Sequence, residues 1–169
     1  MKILYTHRHI LLSHGFTFVE TLAVVSIVLT LLGLASVNLI SFQRSANITE
    51  AVDTLVADIR NQQTKAMSGE TTQGASTGGY GVYFDTNRYI LFSGTTYSAA
   101  ATTNSVIPLK SPIYADSILF PNQSLVFLAR SGEVSGFVNG SNSIILKEQN
   151  GTKSRKISIN QYGVITTIQ

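Results

Sequence analysis

Hydrophobic and polar positions divide this chain into three textures. Residues 1–15, MKILYTHRHILLSHG, are short and basic and end in glycine. From Phe16 to Gln43 the chain is apolar on every helical face, broken only by Glu20 and small polar residues. That run exceeds the ~20 residues a bilayer-spanning helix needs. Nothing in it stops a helix: there is no proline, and Gly33 costs only ~1 kcal/mol relative to alanine. A helix apolar all round is buried in lipid or in protein.

At Arg44 the pattern changes without a turn signal. Apolar residues then recur at Ile48, Val52, Leu55, Ile59 and Ala66, the spacing of one helical stripe, while Glu50, Asp53 and Arg60 fall away from it. Gly69 is the expected stop. The pattern predicts one helix from about Phe16 to Met67, ~75–80 Å long at 1.5 Å per residue. Its first half is apolar all round and its second half amphipathic.

Beyond Met67 the period shortens. SGETTQGASTGG reads as a polar loop, and GVYFDTNRYILFSG as two strands around an Asp85–Asn87 turn. GTTYSAAATTNS, 94–105, reads as a low-complexity surface loop. Short strands are expected near Val106–Leu109, Ser117–Phe120 and Ser124–Ala129, with Asp85 and Asp116 as turn residues. Asn150-Gly151 between SIILK and SRKISIN is the strongest hairpin signal. It would set Glu148 opposite Lys153 and Ile144 opposite Ile157. A last strand covers Val164–Ile168. Helix first and antiparallel strands afterwards is an α+β arrangement. The implied organisation is a leader at 1–15, a hydrophobic helix at 16–43 and a globular domain at 44–169. Within that domain the amphipathic helix covers 44–67 and the β part about 80–169.

Composition changes this picture in three ways. At 12% charged the chain is poorer in charge than the ~25% of an ordinary soluble domain, and the apolar run accounts for part of the deficit. The formal +3 is no sign of a nucleic-acid partner. Without residues 1–15, which hold Lys2 and Arg8 and no acid, ten basic residues face nine acidic ones. There is no cysteine, and all three histidines (His7, His9, His14) precede Gly15. Once 1–15 is removed, Ser–His–Asp and Cys–His catalysis and histidine or thiolate metal sites are excluded. The scattered acids form no recognisable pair, and no glycine loop for phosphate is present, so neither an enzyme nor a cofactor is expected.

Glu20 needs an explanation, because a carboxylate within a membrane segment costs ~2.5–3.5 kcal/mol even on lenient scales. It either sits at headgroup level or meets a positive partner when the helix leaves lipid. Lys147, Lys153, Arg155 and Lys156 cluster around the last hairpin and are the candidate nucleic-acid contacts. A solvated strand edge is the favoured reading of them. An ordinary secretory signal, cleaved near Gly33-Leu34-Ala35, is a further alternative. Glu20 and the length of the apolar run argue against it.

The stretch GFTFVETLAVVSIVLTLLGLA resembles the prepilin signature of type IV pilins and type II secretion pseudopilins. The resemblance implies cleavage after Gly15 by a prepilin peptidase on the cytoplasmic side, N-methylation of Phe16, and Glu20 as the fifth mature residue. In a filament that carboxylate would pair with the Phe16 amine of a neighbour. The desolvation that such burial entails offsets much of the attraction. A second likeness covers EAVDTLVADIRNQQTKAMSG, GVYFDTNRYILF and RKISINQYGVI. These are similar to the H-type minor pseudopilins and the FimT/FimU minor pilins, with Leu55, Asp58, Ile59 and Arg60 as the shared run. Gln62-Gln63 departs from the Ala-Arg pair usual there, and the mid-helix proline of many major pilins is absent. The implied protein is a structural, minor subunit of a type IV pilus or a type II secretion pseudopilus. Its implied partners are other subunits, the peptidase, the inner-membrane assembly platform and, before assembly, lipid. Its expected place is the bacterial inner membrane, single-pass, then a periplasmic or surface filament. A competence subunit that binds DNA is the related alternative.

Overall fold

The computed structural model describes residues 15–69, 78–149, 151 and 153–169, and of 36–45 the backbone alone. The leader residues before Gly15, most of the glycine-rich loop after Gly69, and Asn150 lie outside the described residues. The chain divides into two compact units, Met1–Phe42 and Gln43–Gln169. Helix α1 is assigned over Phe18–Ser68, 51 residues.

In the first unit, every described side chain of α1 from Phe18 to Ala35 is exposed. This stretch is long and apolar enough to cross a membrane, with a mean hydropathy of 2.3. A membrane anchor and a signal sequence share that property.

The second unit is α+β. Here α1 buries Ile48, Val52, Leu55, Ile59 and Ala66, as the stripe requires, and adds Val56 and Gln62. The helix ends where Gly69 takes a left-handed φ of +64°, a conformation that favours glycine. The Ala66 carbonyl accepts N–H groups from Gly69 at 3.2 Å and from Arg130 at 2.8 Å, so a distant loop helps close the helix end.

Among the described residues eight strands follow: β1 Gly79–Asp85, β2 Arg88–Ser93, β3 Ser105–Pro108, β4 Ile113–Leu119, β5 Ser124–Leu128, β6 Ser143–Glu148, β7 Ser154–Ile159 and β8 Ile165–Ile168. They form two four-stranded sheets, β3-β2-β1-β5 and β4-β6-β7-β8, with antiparallel pairing throughout. One buried cluster joins the α1 stripe to Val82, Phe84, Leu125 and Phe127 of the first sheet and Ile144, Leu146, Ile157 and Ile159 of the second. The last hairpin has the expected register, with Ile144 opposite Ile157 and the Glu148 N–H bonded to the Lys153 carbonyl at 3.2 Å.

Two features differ from what the sequence pattern predicts. Strand β4 begins at Ile113, four residues before the expected Ser117. Its Asp116 is not a turn residue: it occupies a bulge where the register with β6 shifts between Ala115 and Ser117. An inserted residue there breaks the two-residue alternation that a pattern search relies on.

The low-complexity stretch after β2 is a surface loop, as expected, with one anchored ring. Tyr97 stacks on Tyr83 with ring centroids 4.1 Å apart and meets Phe92 edge-on at 5.6 Å. It thereby covers the face of the first sheet opposite the helix, where Ile90, Phe92 and Val126 are also buried. Gly81 makes room for this second layer, because a Cβ there would stand 2.6 Å from the Phe92 ring. The first sheet is therefore packed on both faces.

Its outer strand β5 is also covered along its edge. The Leu128 N–H bonds to the Glu133 carbonyl, and the Ser135 N–H to the Val126 carbonyl, at 2.9 and 2.8 Å.

Candidate functional site

The N-terminal site is built on the first turn of α1. Gly15, Phe16 and Thr17 precede the helix and are exposed. Thr17 is the N-cap: its Oγ1 accepts the Glu20 N–H at 3.2 Å, and its carbonyl accepts the Thr21 N–H at the same distance. This satisfies one of the four N–H groups that a helix start leaves open. The helix thus begins two residues after the expected Phe16. The T-x-x-E spelling of Thr17–Glu20 is the sequence signal for such a start.

Glu20 is exposed, and among the described residues its side chain has no ion-pair or hydrogen-bond partner. The other polar side chains between Phe18 and Ala35 are satisfied within the helix. Thr21 bonds to the Phe18 carbonyl at 2.8 Å, Ser26 to Leu22 at 2.8 Å and Thr30 to Ser26 at 2.6 Å. Hydroxyls bonded back to helix carbonyls carry little polarity into lipid. From Phe18 to Ala35, Glu20 is therefore the one side chain whose polar capacity is unspent. A carboxylate in the first turn is also favoured by the helix dipole.

The four basic residues near the last hairpin do not share a face. In β6 the core-facing residues are Ile144 and Leu146, so Lys147 points to the other side, together with Lys156 of β7. Arg155 pairs with Leu146 and stands on the core side, where its Nη1 lies 3.4 Å from the Ser154 carbonyl. Lys153 lies in the turn before β7. Lys147 is partly neutralised by the bulge residue Asp116, at 3.9 Å, and Asp116 also accepts the Tyr114 hydroxyl at 3.4 Å. Side chains that alternate across a strand cannot all meet one phosphate backbone. Nearness in sequence overstated this cluster.

Gln62 and Gln63 take different roles. Gln62 is buried in the stripe, and among the described residues its Oε1 has no partner. Gln63 donates through Nε2 to the Gly132 carbonyl at 3.0 Å and the Tyr162 carbonyl at 2.9 Å, joining two loops to the helix. A carboxamide spacing along a helix carries no sequence signal for such a bridge.

Among the described residues no group of three or more His, Asp or Glu side chains is arranged to hold a metal. Comparison with family models, with curated proteins and with solved structures finds no match for this chain.

Proposed function

We propose that this chain is a prepilin-like structural subunit, cut after Gly15 and assembled through α1 into a type IV pilus or type II secretion pseudopilus. The observation that carries the reading is the isolation of Glu20. It is the one unspent polar side chain of the exposed apolar stretch Phe18–Ala35, and it sits five positions after Gly15 in the GFTFVE stretch. Such a carboxylate is costly in lipid and gains when a positive group meets it. Cleavage after Gly15 creates that group at Phe16. The positive-inside rule places Lys2 and Arg8 in the cytoplasm and the domain that follows α1 outside. The role is scaffolding rather than catalytic. The similarity around Leu55–Arg60 favours a minor subunit.

The test is the N-terminus of the exported protein. Intact mass and N-terminal sequencing should give a chain that begins at N-methyl-Phe16. An N-terminus at Ser36, or an uncut Met1, would overturn the proposal.

A further inference from the structure

Three segments of the second unit meet near the junction of the two sheets. They are the Thr86–Asn87 turn between β1 and β2, the 109–112 connector before β4, and Gln149 after β6. An open cleft of about 640 Å³ lies between them, within the ~300–1,000 Å³ of small-molecule sites. Its walls are held by backbone hydrogen bonds that run between segments. The Leu109 N–H donates to the Asn87 carbonyl at 2.9 Å, the Ala115 N–H to Thr86 at 2.8 Å, and the Gln149 N–H to Pro112 at 2.7 Å. The cleft is shaped before any ligand arrives, which lowers the ordering cost of binding.

The cleft offers two carboxamides, Asn87 and Gln149, and two hydroxyls, Thr86 and Ser111. Among the described residues none of these four side chains has a partner within the protein. Pro112 and Tyr114 add apolar surface, and among the described residues no charged side chain lines the cleft. Two ion pairs stand near these segments: Arg88 with Asp85 at 3.0 Å, and Lys110 with Glu50 at 2.5 Å.

This chemistry selects among ligands. A charged ligand would find no counter-charge. An extended peptide adding to the edge of β4 would need the Ala115 N–H, which Thr86 already occupies. A sugar hydroxyl both donates and accepts, as carboxamides and hydroxyls do. The C–H faces of a sugar ring suit the surfaces of Pro112 and Tyr114. We propose that this cleft binds a neutral saccharide through Thr86, Asn87, Ser111 and Gln149. The site is independent of the function proposed for the N-terminal helix.

The experiment uses the full chain in a detergent without a sugar headgroup, such as dodecylphosphocholine. Lactose, maltose and N,N′-diacetylchitobiose are titrated separately while the side-chain amide signals of Asn87 and Gln149 are followed by NMR. At least one disaccharide should give saturable shifts of both. Asn87→Ala and Gln149→Ala, both at exposed positions, should each weaken binding about tenfold, the effect of one lost hydrogen bond. No saturable shift with any of the three sugars would overturn the proposal. So would unchanged affinity in both variants, or shifts produced only by an uncharged, acetylated and amidated tetra-alanine peptide.

Discussion

The Tyr89 hydroxyl donates to Asp58 Oδ2 at 2.5 Å, which ties β2 to the helix at the border of the core. Tyr89 is buried. Burial first, and then the hydrogen bond to Asp58 and its charge, push the phenol well above its ordinary range. The folded state therefore holds the proton more tightly than the unfolded chain, whose tyrosine titrates near ~10. The stability this contributes is fully present below that pH and is lost as pH rises beyond it. Denaturant unfolding should show a decline above pH ~10 that is shallower in Tyr89→Phe. At pH 7 the variant should be less stable by about 1–2 kcal/mol, because a hydrogen bond to a charged group is lost. Equal slopes for the two proteins would mean that the pair is not coupled to folding.

Tyr97 should anchor its loop by its ring alone. Tyr97→Phe should leave stability unchanged, whereas Tyr97→Ala should cost about 1–2 kcal/mol through lost stacking and burial. Hydrogen exchange should rise across 94–104 in the alanine variant alone. If the phenylalanine variant behaved like alanine, the hydroxyl would be the anchor and the stacking incidental.

For Gln63 the expected order is wild type, then alanine, then glutamate. Alanine removes both donors to Gly132 and Tyr162, at about 1–2 kcal/mol. A carboxylate would face those carbonyls with no proton to give. Thermal unfolding at neutral pH gives the comparison, and a glutamate variant as stable as the wild type would refute the bridge.

Glu20 separates residence in the bilayer from assembly, on the function proposed above. Glu20→Ala should insert at least as well as the wild type, since a costly charge has gone from an apolar segment. It should co-purify less with other pilin-like subunits, because the amine of a neighbour loses its partner. Glu20→Gln should show a milder defect. The readout is membrane-fraction abundance set against co-purification, and undiminished co-purification of Glu20→Ala would remove the paired-charge mechanism.

What could be read from the sequence was set by local periodicity. The buried stripe from Ile48 to Ala66, the Gly69 stop and the Ile144–Ile157 register all follow from repeats of 3.6 or 2 residues and from turn chemistry. The shift of the helix start to Phe18 has a local cause as well, the Thr17 hydroxyl. Tyr97, by contrast, sits in a stretch of Ala, Ser and Thr, and its partners Tyr83 and Phe92 become visible only once β1 and β2 have paired. The bridge from Gln63 spans 69 and 99 residues, beyond any local pattern. For the basic residues the opposite holds: Arg155 and Lys156 are neighbours in sequence, yet the pleat sends them to different sides.

The covered edge of β5 has a consequence for life at high density. An exposed strand edge is a template on which another chain can pair. Here β5 is occupied by 133–135, and the outward Ala115 N–H of β4 is taken by Thr86. The two remaining edge strands, β3 and β8, have four residues each, and β3 ends in proline. Copies crowded side by side would meet few free backbone groups. Such a domain can be stored or arrayed at close quarters without its sheets fusing into a cross-β aggregate.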